Sequence, residues 1–311
     1  MDYLDIAIMR ELMKNSRVPI SGLARSLRVS REVLNYRLRK LRNDGVILGF
    51  VSEIDIWKMG FVGAAVFVNV KSDRHEDFKR YLEETDFVSW VAELSGIWSF
   101  GLSIIGSDNE ELDQRFHEIY SRFRDDIIDH RFTLHRRSDF YYEKYFKSMP
   151  ETIKKKDASY TLDSKDKMIL REISRDSRME IVSLSQMTGL TGPAVASRIR
   201  KLENSGYIQK YSIFVDVSKL GIFQYSVFVI NKDVSEKERL MKYLKHNGSI
   251  SFTAEYIGDP FIEFGVFVDD PYVLREELND IELNFPNNRV MEISLFQKEF
   301  VSVGPPSCVF E

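Results

Sequence analysis

The sequence has little cysteine and no long apolar run, and both absences narrow the class of protein. Cys308 is the one cysteine among 311 residues, so an intramolecular disulfide and a cysteine-based metal cluster are excluded. No apolar stretch approaches the roughly 18 residues that a membrane-spanning helix needs. We therefore predict a cytoplasmic protein without a signal peptide.

The common signatures of catalysis are also missing. The chain has no Gly-rich phosphate loop, no Ser/His/Asp order and no cysteine nucleophile. The histidines show no metal-ligand spacing and stand at His75, His117, His130, His135 and His246. The sequence predicts no catalytic residue, metal site or cofactor, and therefore a protein that is not an enzyme.

Acidic residues slightly outnumber basic ones overall, but the basic residues are in excess in two segments. The formal net charge is −4, yet residues 1–50 carry ten Lys and Arg against five Asp and Glu, and residues 162–211 carry nine against six. Such segregation lets two basic patches approach phosphates although the whole chain is acidic. The pattern favours a nucleic-acid partner.

The two basic segments are copies of one unit. When residues 5–60 are compared with the sequence 161 positions later, 18 of 56 residues are identical. The shared residues include the pairs Ser16 and Ser177, Arg37 and Arg198, and Gly45 and Gly206. So many identities without a gap indicate an internal duplication.

Each copy begins with the pattern of a helix-turn-helix. In the first copy, apolar spacing predicts helices over residues 2–15 and 21–27, and Ser30 is a natural N-cap for a third helix that ends at Gly45. Leu34, Leu38 and Leu41 would line the inner face of that helix. Residues 46–55 alternate enough to form a strand or a hairpin wing, which predicts a winged helix-turn-helix.

After each winged helix the pattern changes to βαββαβ, the order of a ferredoxin-like domain. The predicted elements are strand 62–70, helix 74–84, strands 87–95 and 98–105, helix 109–124 and strand 130–137, repeated as 224–231, 235–246, 250–257, 261–268, 271–283 and 289–297. The fold class is α+β. The predicted domains are 1–58 and 162–219 (winged helices), 59–146 and 220–303 (ferredoxin-like), a linker at 147–161 and a loose tail at 304–311.

Each half resembles the Lrp/AsnC family of bacterial and archaeal transcription regulators. The residues that carry the resemblance in the first half are Asp5, Ile8, Ser16-Arg17, Leu23-Ala24, Ser30, Arg37-Leu38-Arg39-Lys40-Leu41, Gly45-Val46-Ile47, Asp55 and Gly60. The second half keeps most of them, and the match covers about 290 residues. Since the family consists of single-unit chains that dimerise through the sheet domain, the resemblance implies a pseudo-dimer within one chain, a homo-oligomer and an amino-acid-like effector.

The third helix of a helix-turn-helix lies in the major groove of double-stranded DNA, so its outward side chains are candidate contacts. Helical spacing places Arg31, Glu32, Asn35, Tyr36 and Arg39 there, and Ser30 at the N-cap is a further candidate. The predicted phosphate contacts are Arg37, Arg39, Lys40 and Arg42. Arg31 and Asn35 suit guanine and adenine edges. The competing interpretation is a solvated, charged helix.

The corresponding helix of the second copy has a poorer surface. Thr191 is its predicted N-cap, Pro193 suits the first turn, and small residues such as Ala196 and Ser197 replace Asn35 and Tyr36. Phosphate contacts remain available to Arg198, Arg200 and Lys201, and Thr191 and Ser197 are further candidate DNA contacts. We expect the first copy to specify the DNA sequence and the second mainly to add affinity.

The resemblance also points to an effector site at the turn between the second and third strands of the sheet domain. The candidates are Gly96, Trp98, Gly258 and Asp259. Most acidic residues of the family motif are missing, so two tight turns that need glycine explain the pattern equally well. Trp98 is either a pocket wall or a residue of a sheet interface.

Two alternatives remain. Sirohaem decarboxylases resemble this family in fold and can occur as fused pairs, but the segments VAELSGIWSFGLSIIG and TAEYIGDPFIEFGVFV contain no histidine or arginine for a tetrapyrrole. The other alternative is a ligand sensor whose helix-turn-helix units make only protein contacts. The basic third helix disfavours it, least strongly for the second half.

Overall fold

The computed structural model describes residues 1–148, 159–231, 233–258, 262–300 and 304–311. The described elements of the first half are α1 (Tyr3–Lys14), α2 (Ile20–Ser26), α3 (Arg31–Asn43), β1 (Ile47–Ile54), β2 (Val62–Val70), α4 (His75–Glu84), β3 (Val88–Gly96), β4 (Phe100–Gly106), α5 (Asn109–Arg122) and β5 (Ile127–Phe140). Those of the second half are α6 (Ser164–Arg175), α7 (Ile181–Thr188), α8 (Gly192–Asn204), β6 (Ile208–Val215), β7 (Phe223–Asn231), α9 (Lys237–His246), β8 (Ile250–Ile257), β9 (Ile262–Val268), α10 (Leu274–Asn284) and β10 (Asn288–Glu299).

This order confirms the predicted α+β fold class. The elements divide into two compact units, which we call the winged-helix unit (Met1–Phe61, Glu151–Asp216, Ser302–Glu311) and the barrel unit (Val62–Pro150, Val217–Val301). The predicted domain boundaries stay predictions, and most of the predicted linker lies outside the described residues. No described helix is both long and apolar enough to cross a membrane.

Within the winged-helix unit, the strand that follows each helix-turn-helix pairs with its counterpart from the other half. β1 and β6 run antiparallel, with Ile47 opposite Val215 and Ile54 opposite Ile208. Of the two predicted forms for residues 46–55, the strand is confirmed and the hairpin wing is wrong. A hairpin needs a second strand nearby in sequence, whereas β1 finds its partner about 160 residues away.

The contacts between the two halves of the winged-helix unit are reciprocal. The amide of Ser177 donates to the carbonyl of Phe50 at 3.0 Å, and that of Ser16 donates to Tyr211 at 3.1 Å. The guanidinium of Arg17 donates to the carbonyl of Ser177 at 2.5 Å, and Arg178 does the same to Ser16. Such paired contacts relate the two helix-turn-helix copies by an approximate two-fold axis.

The C-terminal tail also belongs to the winged-helix unit. Residues Ser307–Phe310 form a 3-10 turn in which Val309 and Phe310 are buried. Lys167 Nζ of α6 donates to the backbone oxygen of Glu311 at 2.6 Å. The expectation of a loose tail was therefore wrong, because two apolar side chains near the C-terminus gain burial against this unit.

The barrel unit joins two four-stranded sheets into one closed barrel. The sheet of the first half has the order β3-β4-β2-β5, that of the second half β8-β9-β7-β10, and the pairs β5–β8 and β3–β10 close the ring. All these pairs are antiparallel. Each half therefore has the strand order of a ferredoxin-like domain, and closure removes exposed sheet edges.

Successive side chains of each strand point to opposite faces of the sheet, so the barrel unit has two separate hydrophobic clusters. On β7, Val227 and Val229 belong to a cluster that includes Leu240 and Leu244 of α9. The intervening Phe228 belongs to a second cluster inside the barrel, where Phe67 and Phe228 meet edge to face at 4.9 Å. Helices therefore pack on one sheet face, while the other face lines the interior.

Candidate DNA-binding surface

The third helix of the first copy, α3, presents a charged face because its leucines recur on the opposite side. Ser30 caps it as predicted, since its Oγ accepts from the amide of Val33 at 3.2 Å. Leu34, Leu38 and Leu41 are buried. The candidate contact residues that stay exposed on this helix and at its cap are Ser30, Arg31, Glu32, Asn35, Tyr36, Arg39, Lys40 and Arg42.

Arg37 differs from the other predicted phosphate contacts. Its Nη1 lies 2.6 Å from a carboxylate oxygen of Asp2 and 3.2 Å from one of Asp5. The backbone amide of Asp5, and then the Arg37 guanidinium, hold the pKa of Asp2 below its ordinary value. Because both acids belong to the capping box of α1, Arg37 joins α3 to α1, which argues against its predicted phosphate contact.

Arg198 repeats this arrangement in the second copy. Its Nη1 lies 2.7 Å from Asp163 and 2.8 Å from Asp166, whose side chain is fully buried. Hydrogen bonds to Asp166 and Asp163 raise the pKa of Arg198 further. The same kind of ion pairing therefore argues against the predicted phosphate contact of Arg198.

The corresponding helix of the second copy, α8, offers fewer polar groups. Thr191 occupies the N-cap position, but its hydroxyl makes no capping hydrogen bond, so that part of the prediction was wrong. Pro193 removes one of the two amides that such a cap could bind, and the other, that of Ala194, is not bound by Thr191 either. Arg200 and Lys201 are exposed, whereas Ser197 is half-buried. The exposed surface of α8 therefore has two cationic side chains for phosphates but few polar side chains that could contact base edges.

The predicted effector residues lie in the barrel unit, where packing accounts for two of them. Gly96 has φ +140°, and a Cβ there would lie 2.7 Å from the carbonyl oxygen of Ile293. Trp98 is buried inside the barrel, and its Nε1 donates to Glu292 at 3.0 Å. Gly258, at φ +100°, faces open space, and Asp259 lies outside the described residues. Trp98 thus occupies the sheet interface rather than an open pocket wall.

Sequence reasoning missed a polar network inside the barrel. Arg131 donates from both terminal guanidinium nitrogens to the carboxylate of Glu292, and Glu263 accepts hydrogen bonds from Ser226 and Tyr256. Burial raises the pKa of Glu263 to about 7. Arg131 of β5 lies opposite Phe67 of β2, which faces the barrel interior. This pairing would have revealed that Arg131 also points inward, but the sequence alone does not give the register between the two strands.

This network bears on the tetrapyrrole alternative, because the barrel interior does contain arginine and histidine. The β3–β4 and β8–β9 segments lack both, yet β5 supplies Arg131 and His135. Glu292 already pairs with Arg131, and burial lowers the pKa of His135 to about 4. In the part of the chain that the structure describes, no three His, Cys, Asp or Glu residues are grouped as metal ligands.

The sequence matches known proteins in both halves. A model for winged helix-turn-helix DNA-binding domains matches residues 1–47 and 162–209. An uncharacterized HTH-type transcriptional regulator of Pyrococcus furiosus is 36% identical over 153 residues, which is 46% of this chain and 96% of the relative. The HTH-type transcriptional regulator LrpB of Bacillus subtilis is 32% identical over 121 residues, 39% of this chain and 80% of the relative.

Among solved structures, the sirohaem decarboxylase NirDL superposes on nearly the whole chain. The TM-score is 0.63, and the alignment covers 97% of this chain and 94% of that one. Sequence identity is 13%, so this similarity concerns the fold alone. It shows that the two-copy architecture has a counterpart of almost the same extent.

Proposed function

Since the chain belongs to the Lrp/AsnC family of DNA-binding transcription regulators, we propose that it reads a specific double-stranded DNA sequence as a pseudo-dimer within one chain. The supporting observation is the exposed face of α3, where Arg31, Asn35 and Tyr36 stand opposite a buried leucine stripe. Arginine and asparagine match guanine and adenine edges in the major groove. We place the protein in the cytoplasm with that DNA.

The approximate two-fold axis within the winged-helix unit predicts how the half-sites of the DNA are arranged. Dimeric helix-turn-helix proteins bind two half-sites that mirror their own symmetry. Here one chain supplies both copies, so the operator is expected to be an inverted pair of half-sites. Because α8 has Ala196 and Ser197 where α3 has Asn35 and Tyr36, the two half-sites should differ in how strictly they are specified.

In this proposal the second copy mainly contributes phosphate contacts. Arg200 and Lys201 remain exposed on α8, while Arg198 is held by two carboxylates. Phosphate contacts position a protein on the duplex without reading its sequence. The second copy therefore raises affinity for any site that the first copy selects.

The barrel unit would serve regulation and assembly. Each of its described strands has two neighbours, so further association of chains must use helices or loops instead of sheet edges. A small-molecule effector, if the family resemblance extends to it, would bind outside the packed cluster around Trp98. Arg131 and His135 lie inside the barrel, but Arg131 pairs with Glu292 and burial lowers the pKa of His135. These two residues therefore do not favour the decarboxylase alternative over this role.

Exchanging a few outward residues tests whether the first copy reads the DNA sequence while the second mainly contacts phosphates. The variant Asn35→Ala, Tyr36→Ser gives α3 the residues of α8 at two outward positions and leaves its leucine stripe intact. We expect it to relax the sequence preference at one half-site, while Arg200→Gln should weaken binding to all sequences equally. An unchanged sequence preference in the first variant would refute the proposed reading role of Asn35 and Tyr36.

A further inference from the structure

The turn between α2 and α3 contains an arginine where the backbone favours glycine. Arg28 has φ +56°, in the left-handed region. Its amide donates to Arg25 O at 3.2 Å, and that of Val29 donates to Ala24 O at 3.0 Å. These are the hydrogen bonds of a Schellman helix end, whose left-handed position is usually glycine because other side chains are strained there.

The second copy uses the expected residue at the same place. Gly189, 161 positions after Arg28, ends α7 with φ +68°. Both turns therefore place a residue in the left-handed region at the same position, and only the first carries a side chain there. Among the described residues, no hydrogen bond or ion pair of the Arg28 guanidinium offsets the strain.

Two more arginines flank Arg28 in the first copy. Arg25, Arg28 and Arg31 are all exposed and follow one another at intervals of three residues around the turn. The corresponding residues of the second copy are uncharged: Gln186, Gly189 and Gly192. The first copy thus concentrates three positive charges at the point where α2 leads into α3.

We propose that Arg28 contacts a DNA phosphate and that this contact is why a strained arginine stands in the turn. The inference rests on the proposed function. In a docked helix-turn-helix, the recognition helix enters the groove with its N-terminal end near the bases while the preceding helix crosses the backbone. A turn between them lies beside phosphates, where a guanidinium can donate two parallel hydrogen bonds.

The test combines stability with DNA binding in the full-length chain, on a duplex of mixed sequence over a range of salt concentrations. Arg28→Gly removes both the strain and the charge, so we expect a higher melting temperature but weaker DNA binding. The slope of log K against log salt should become shallower by about 0.9, the loss of one phosphate contact. Arg28→Asn, neutral and tolerant of left-handed φ, should behave similarly, while Arg28→Lys should keep the slope.

A matched charge control is Lys14→Gln. Lys14 is an exposed cation of the same unit, paired with Glu11 at 2.8 Å, and its loss should leave the slope unchanged. The inference is wrong if Arg28→Gly binds with wild-type affinity and slope, or if Lys14→Gln lowers the slope equally. Failure of the wild-type chain to bind any duplex would instead refute the proposed function, and this inference with it.

Discussion

The hydroxyls of Ser16 and Ser177 lie 2.5 Å apart, and these equivalent residues of the two copies meet each other directly. Both side chains are completely buried. A pair of identical residues in contact is what a two-fold axis produces when it passes between them. The duplication is therefore expressed in the fold as a symmetric junction between two helix-turn-helix copies.

This junction predicts a non-additive effect of mutation. Ser16→Ala or Ser177→Ala alone leaves one buried hydroxyl without its partner, and each should lower the free energy of unfolding by about 1–2 kcal/mol. The double variant should lose clearly less than the sum of the two. Denaturant unfolding of all four proteins measures the coupling, and strict additivity would show that the two hydroxyls do not interact.

The two arginines on α8 should separate stability from DNA binding. Arg198→Gln removes the cation beside the buried carboxylate of Asp166, so we expect a loss of about 1–3 kcal/mol in the free energy of unfolding. Arg200→Gln, at an exposed position, should change it by less than about 0.5 kcal/mol. Only Arg200→Gln should also make the salt dependence of binding shallower.

Thermal or denaturant unfolding, together with a salt titration of DNA binding, checks this pair. If Arg198→Gln were stable and lowered the salt dependence, its guanidinium would be a phosphate contact after all.

Substitution by alanine should be more damaging at one of the two turn glycines of the barrel unit than at the other. At Gly96, alanine would meet both a positive φ and a carbonyl oxygen 2.7 Å from its Cβ, and we expect a loss of about 2–4 kcal/mol. Gly258 also has positive φ but open space around it, so alanine should cost only about 1 kcal/mol. Urea unfolding measures both, and equal losses would contradict the steric explanation for Gly96.

Glu263 predicts a pH dependence of stability. Its pKa is raised to about 7 by burial, so the folded chain keeps a proton that the unfolded chain releases near pH 4.5. The contribution of this group to the free energy of unfolding therefore falls as the pH rises from about 4.5 to 7, by about 3 kcal/mol in full. Glu263→Gln should remove that fall.

The comparison needs the free energy of unfolding of both proteins at pH 5 and pH 7. A wild type and a Glu263→Gln variant that change in parallel between these pH values would show that the fold does not raise the pKa of Glu263.

Local signals in the sequence predicted most elements and the surface of α3. Ser30 and the leucine stripe give the start and the buried side of that helix without reference to the rest of the chain. The βαββαβ order likewise follows from alternation and helical spacing.

Long-range partners account for what the sequence could not predict. In the sequence, Arg37 resembles its exposed neighbours, and only the fold shows that Asp2 and Asp5 at the start of α1 lie beside it. In the same way, the sequence of β1 resembles one strand of a hairpin, and only the fold shows that its partner is β6. The place of the tail depends on an apolar surface that only the assembled winged-helix unit provides. In each case the missing information is a contact between residues far apart in the chain.

Selection of bound sequences from a pool of randomised duplexes tests the central claim most directly. We predict that the wild-type chain enriches an inverted pair of half-sites, one strictly specified and one loosely specified, and that its binding weakens steeply with salt. Enrichment of no sequence, in a chain that binds a tetrapyrrole instead, would contradict the account.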